Sequence, residues 1–203
     1  FPCDCTRRDI AAALAAPQEG AGPVIGPDGP VYPGTCRAKS DGNDPRRSRP
    51  TDQHLRLDMT LAQKVCAHHM EAGGDGDGGL KFQETGALKA GSVFTSWQSY
   101  VETIGDVVLA RRDFGTSYHL SVVLDDAAQG ITHVVRGEDL FEAARIHVLL
   151  QTILDLPVPV YHHHRLIRDE TGKRLAKRDD ARAIATYRAE GATPDDIRRM
   201  VGL

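Results

Sequence analysis

Three groups of side chains in this sequence have the types and spacings that chemistry requires. Arg136 closes the apolar run Ile131-Thr-His-Val-Val and precedes Gly137-Glu138-Asp139, while Tyr118 opens the segment Tyr-His-Leu-Ser-Val-Val-Leu-Asp-Asp before it. A guanidinium offers a rigid donor fork to a carboxylate or phosphate, and a tyrosine hydroxyl can orient an amine or carboxylate. The competing reading pairs Arg136 with Glu138 or Asp139 at the surface and leaves Tyr118 as packing. The second group is Lys173, Arg174, Lys177 and Arg178, just after Gly172. Mobile cations there can follow a polyphosphate as its charge shifts in a transition state, although a solvated loop has the same composition. The third group is Cys3, Cys5 and Cys36. These are three thiolates where structural zinc wants four ligands, with Tyr32, His54, Cys66, His68 and His69 as candidates for the fourth. Spacing alone favours Cys66, and buried thiols without metal are the alternative.

Two further clusters carry weaker signals. Arg46, Arg47 and Arg49 lie between prolines in a polar segment that reads as a solvated loop or, less simply, a phosphate-touching patch. In His162-His163-His164, successive strand residues alternate faces, so only the first and third could share an ion, and packing or support of a neighbouring site is the better reading.

The elements that must position these groups centre on residues 117–140. Residues 131–135 read as a buried strand, 140–154 as an amphipathic helix and 160–167 as a second strand. Strand, helix, strand is a crossover unit and implies a parallel sheet. Residues 118–129 then form a helix closed by Gly130. In such a sheet ligands sit beyond the carboxyl ends of strands beside helix N-termini, so Tyr118 and Arg136 should face one crevice. Elsewhere, 6–16 is a helix capped by Thr6, 17–34 a flexible Pro/Gly connection, 54–59 an exposed strand and 106–112 another strand. The Gly/Asp stretch 73–79 lacks the register of a calcium loop and reads as a turn. Residues 181–190 form a short helix, and Thr193-Pro194 opens another.

Composition bounds the answer. A chain of 203 residues with net charge -3 buries a real core and carries no general field for polyanions, so nucleic-acid contacts must be local. No apolar run approaches a membrane span and no signal peptide is visible. With the Cys-x-Cys spacing, which suits metal or free thiols better than disulfides, this makes the cytoplasm the expected location and excludes membrane partners.

Several ordered blocks resemble a family. Asp106-Val-Val-Leu, Tyr118 to Asp126, Gln129-Gly-Ile-Thr-His-Val-Val-Arg-Gly-Glu-Asp-Leu and Leu166-Ile-x4-Gly-Lys-Arg-Leu-Ala-Lys-Arg are similar to the catalytic domain of glutamyl-tRNA synthetases, a class I architecture. The resemblance is strongest to the short paralogues that glutamylate queuosine in tRNA(Asp) and lack an anticodon-binding domain. It implies an α/β fold: the C-terminal half of a Rossmann-like parallel-sheet domain (106–180), an inserted zinc-binding subdomain (1–105) and a short helical C-terminus (181–203). It also implies that Tyr118 and Arg136 hold glutamate, and that Arg174, Leu175, Ala176, Lys177 and Arg178 are the mobile ATP-binding signature with Lys177 as its catalytic lysine. Arg174 stands there for the usual first lysine and Ala176 for the usual serine. The same resemblance supplies Tyr32 as the fourth ligand beside Cys3, Cys5 and Cys36, although the interval from Cys5 to Tyr32 is long for the family.

The implied enzyme is a monomeric ligase using ATP with Mg2+, glutamate and queuosine-bearing tRNA(Asp), with zinc as a structural ion. Charging of the tRNA 3′ end, or a non-catalytic zinc-stabilised tRNA-binding module, are the alternatives. No His-x-Gly-His occurs in the sequence and it begins at Phe1, directly before Cys-x-Cys. The expectation is therefore a chain lacking its N-terminal part, unable to form adenylate unaided.

Overall fold

The computed structural model describes residues 1–15, 22–37, 52–71, 78–113, 115–169, 171–175 and 182–202, the side chains of 68–71 excepted. In chain order the first elements are β1 (Pro2–Cys3), α1 (Arg7–Ala15), β2 (Ile25–Gly26), β3 (Gly29–Pro30), β4 (His54–Arg56) and α2 (Met59–Glu71). Next come β5 (Gly79–Glu84), β6 (Gly91–Ser96), α3 (Trp97–Ser99), a π-helical turn (Tyr100–Ile104), β7 (Val108–Arg111) and β8 (Gly115–Thr116). The rest is α4 (Tyr118–Ala128), β9 (His133–Gly137), a 3-10 turn (Glu138–Leu140), α5 (Ala143–Ile153), β10 (Val160–His164), α6 (Ile184–Ala189) and α7 (Pro194–Val201).

Local chemistry accounts for the helix ends. Thr6 and Asp9 cap α1 reciprocally, with Thr6 N donating to Asp9 Oδ2 at 2.8 Å and Asp9 N donating to Thr6 Oγ1 at 3.2 Å. Ser117 Oγ accepts from Leu120 N at the start of α4. At its other end Gly130 takes φ +66°, which lets Ile131 N reach back to Asp126 O at 2.9 Å. Thr193 and Asp196 form a capping box for α7, with Pro194 in its first turn.

Two four-stranded sheets and the small β2–β3 pair organise the described residues. One is antiparallel in the order β1-β4-β7-β8; the other runs β6-β5-β10-β9. In the second, β10 lies parallel to both β5 and β9, while β5 and β6 form an antiparallel pair. The crossover β9, α5, β10 is present as the sequence predicts. The sheet around it is mixed rather than wholly parallel, because β5 and β6 are joined by a short connection that only an antiparallel pair can use. Helix α5 lies at the centre of the main core, with Ala144, Ile146 and Leu149 fully buried against Tyr100, Phe82 and Tyr161 among others. Among the described residues no helix is long and apolar enough to cross a membrane.

Three expectations change. Among the described residues the apolar run at 131–135 is not buried throughout: β9 starts at His133, pairs with β10, and leaves Val135 68% exposed. A strand covered on one face needs alternate burial, not a continuous apolar run. The strand expected over 54–59 stops at Arg56, and Met59 is fully buried at the start of α2. Finally, the 17–34 stretch expected as a flexible connection holds the antiparallel pair β2–β3, with Ile25 opposite Pro30 and Gly26 opposite Gly29.

Candidate active site

Arg136 sits on β9 within reach of two buried imidazoles. Its Nε donates to His163 Nε2 at 3.0 Å, Nη1 to His147 Nδ1 at 3.1 Å and Nη2 to the Leu140 carbonyl at 3.1 Å. Its Cζ also lies 5.3 Å from the centre of the Tyr161 ring. Of five N–H groups, these bonds use three and leave one on each terminal nitrogen for a ligand. Among the described residues Arg136 pairs with neither Glu138 nor Asp139. Asp139 is paired with Arg174, and Glu138 Oε1 accepts from Leu166 N at 3.3 Å.

The two imidazoles are held from behind. His163 on β10 is 1% exposed, and its Nδ1 lies 2.5 Å from Glu84 Oε2 at the end of β5. Glu84 Oε1 also accepts from His163 N at 3.0 Å and Gly86 N at 2.6 Å. Burial opposes ionisation of Glu84, but the bonds from His163 and Gly86 outweigh it and hold its pKa below the usual range. His147 on α5 is 2% exposed, and its Nε2 lies 3.1 Å from His119 Nδ1 on α4. Burial, reinforced by the Arg136 charge, depresses the pKa of His147 to about 3. His119 in turn faces Asp28, between β2 and β3, at 3.7 Å.

Tyr118 opens α4, half-exposed, with its ring 5.7 Å from that of His147 in an edge-on arrangement. Tyr118 and Arg136 are thus both packed against His147, one from a helix N-terminus and one from a strand. In the basic loop the backbones of Arg168 and Arg174 pair as an isolated antiparallel bridge and Leu175 N donates to Ile167 O at 2.9 Å, so this loop folds back on the segment that follows β10. Gly172 takes φ +82° in the turn that allows it. Ala176, Lys177 and Arg178 lie outside the described residues, as do Arg46, Arg47, Arg49 and residues 73–77 of the 73–79 stretch expected to be a turn.

The cysteines converge on a second centre. Cys3, Cys5 and Cys36 have their sulfurs within 4.8 Å of one another and are all free thiols. Tyr32 Oη lies 3.4 Å from both Cys3 Sγ and Cys5 Sγ, and Cys5 Sγ lies 3.5 Å from Cys36 Sγ. A tetrahedral zinc with Zn–S of about 2.3 Å and Zn–O of about 2.0 Å has ligand-to-ligand edges of roughly 3.5–3.8 Å, close to these three separations, so Cys3, Cys5, Cys36 and Tyr32 are the residues that could hold an ion here. Cys66 is elsewhere: it is buried in the main core, where burial pushes its pKa up to about 11. In the cluster, burial opposes ionisation of Cys36, but bonds from Tyr32 and the Asp4 backbone bring its pKa down to about 7. Burial dominates at Cys5 and raises it to about 11. Arg56 lies over the Tyr32 ring at 4.0 Å and donates from Nε to Cys3 Sγ at 3.4 Å.

Glu84, Asp28, His119, His147 and Arg56 carry no role in the sequence reading. His147 had a local signal, a titratable residue one position after Ile146 on the apolar helix. His163 had another, the strand alternation that places it on the face of Tyr161.

The described residues can be set beside known proteins. The family model for tRNA synthetases class I (E and Q), catalytic domain, matches residues 87–203. Over 203 residues the chain is 56% identical to a glutamyl-Q tRNA(Asp) synthetase of Rhodobacter capsulatus, covering 100% of this chain and 66% of that protein. A protein of the same name from Nocardia farcinica is 36% identical over 204 residues, covering 99% of this chain and 54% of its own. A glutamate tRNA ligase from Elizabethkingia meningosepticum, solved in complex with its amino acid, is 28% identical with TM-score 0.47, covering 61% of this chain and 27% of that one. The chain therefore spans between half and two thirds of the length of these curated relatives.

Proposed function

This chain belongs to the class I (E and Q) tRNA synthetase catalytic-domain family, and we propose that the whole protein activates glutamate with ATP and transfers it to queuosine in the anticodon of tRNA(Asp). In the first step a glutamate carboxylate oxygen attacks the α-phosphorus of ATP. The bond to the bridging oxygen breaks and pyrophosphate leaves; Mg2+ carried with ATP would compensate its charge. In the second step a hydroxyl of the queuosine cyclopentene-diol takes the glutamyl group and AMP leaves. The protein's part is positioning and charge stabilisation.

Arg136 and Tyr118 would hold glutamate, with Arg136 binding a carboxylate. Lys177 would stabilise the departing pyrophosphate, supported by the rest of the 174–178 loop. Cys3, Cys5, Cys36 and Tyr32 would hold a structural zinc that fixes α1 and the β2–β3 hairpin against β4. The observation that carries the reading is the guanidinium of Arg136, fixed by three bonds, left with a donor on each terminal nitrogen, and packed like Tyr118 against His147. The choice of queuosine over the 3′ end rests on the name shared by the similar full-coverage relatives.

The test is ATP–pyrophosphate exchange by the full-length protein. Exchange should depend on glutamate, be absent with aspartate, and be lost in the Arg136→Ala variant. Equal exchange with aspartate would overturn the assignment of the amino acid.

A further inference from the structure

We propose that His147 and His163 are positioning residues: a pair of neutral imidazoles that accept from two different nitrogens of Arg136 and fix its guanidinium plane before glutamate arrives. The proposal rests on the reading of Arg136 as the glutamate-binding residue.

Hydrogen-bond direction carries the inference. A guanidinium only donates, so the ring nitrogens facing it must both be acceptors. His163 Nε2 accepts from Arg136 Nε, which puts the His163 proton on Nδ1, where Glu84 Oε2 takes it at 2.5 Å. His147 Nδ1 accepts from Arg136 Nη1, which puts its proton on Nε2, aimed at His119 Nδ1 at 3.1 Å. His119 then carries its own proton on Nε2, the atom that faces Asp28 Oδ1 at 3.7 Å. Two chains of donors thus run outward from one cation, and each ends on a carboxylate.

The two imidazoles consequently take opposite tautomers. Protonating either would lose its bond to Arg136 and set cation against cation in a buried site. Burial and the Arg136 charge both depress the pKa of His147 in the same sense. The Leu140 carbonyl completes the clamp. A fork whose plane is already set loses less freedom on binding a planar carboxylate than a free arginine would.

The test has two arms, both on the full-length protein. In the unmutated protein, long-range proton–nitrogen NMR of the histidine rings at neutral pH should show His163 as the Nδ1–H form and His147 as the Nε2–H form. A protonated ring, or the other tautomer at either position, would overturn the clamp, and this arm depends on no variant folding. In exchange kinetics, His147→Ala and His163→Ala should each raise the glutamate KM by at least about tenfold while leaving the ATP KM within about twofold. His147→Asn and His163→Gln, which return an acceptor near Nδ1 and Nε2 respectively, should recover most of the loss. An unchanged glutamate KM in both alanine variants would overturn the clamp. The Arg136→Ala variant separates the two failures: if it too leaves the glutamate KM unchanged, the reading of Arg136 is what fails.

Discussion

Replacing Arg56 with methionine keeps most of the aliphatic stem and removes the cation. The guanidinium lies 4.0 Å from the Tyr32 ring centre, donates to Cys3 Sγ at 3.4 Å, and donates through Nη1 to Asp106 O at 2.8 Å. In the proposed zinc site, three thiolates and a phenol oxygen would carry more negative charge than Zn2+ offsets, so a cation bonded to one sulfur would stabilise the loaded site in particular. The cation over the ring contributes about 0.5–2 kcal/mol, and the bond to a charged sulfur about 1.5–3 kcal/mol. With partial exposure the low end of the sum applies. About 2 kcal/mol corresponds to roughly a thirtyfold weaker zinc Kd. Loss of the Asp106 contact lowers stability with or without metal, so it should not enter the affinity. Competition with a chromogenic chelator, run on full-length wild-type and Arg56→Met protein, measures the ratio directly. Thermal unfolding of the metal-free forms checks that the variant is folded. A zinc Kd within about threefold of wild type in a folded variant would refute the charge-compensating role.

Other consequences are simpler to state. Cys66→Ala should leave bound zinc unchanged, whereas Cys36→Ser should lower it, by metal analysis of the purified proteins; parallel losses would place Cys66 in the site. A Cβ on Gly86 would sit 2.2 Å from the His163 carbonyl and 2.8 Å from Glu84 Oε1, so Gly86→Ala should cost about 1–3 kcal/mol in urea unfolding, and an unchanged midpoint would contradict the close approach. His147 has a folded pKa of about 3 against 6.5 for the free residue, so its contribution to stability is present above about pH 6.5 and lost as the pH falls toward 3. Between pH 7 and 5 wild type should therefore lose about 2 kcal/mol more than His147→Asn, and equal losses would show that His147 is not held neutral.

The parts of this molecule that were legible in the sequence are those written in local pattern. The caps at Thr6 and Thr193 and the glycine closing α4 lie beside the backbone groups they satisfy. Helix α5 shows its buried face in its own spacing, and the crossover follows from the order of elements. Tyr118 and Arg136 could be placed near each other because strand ends and helix starts meet on one side of such a sheet. The partners of Arg136 could not. Glu84 and His163 are 79 residues apart and His119 and His147 are 28 apart, and no short-range period links them. Each looks locally like a polar residue in an apolar element. The β5–β6 pair went unassigned, and an apolar run such as that at β9 looks the same whether one face of the strand is covered or two. Arg56 was hidden in another way: in a short strand its alternation says which face it takes, but not that a tyrosine and a thiol lie under it.

The most direct measurement is transfer of labelled glutamate by the full-length protein to two preparations of tRNA(Asp), one bearing queuosine and one lacking it. ATP-dependent labelling of the first and none of the second is the expected result, and the Arg136→Ala variant should abolish it. Equal labelling of the queuosine-free tRNA would contradict the proposed acceptor and point to the 3′ end instead, while no labelling of either would contradict the enzyme itself.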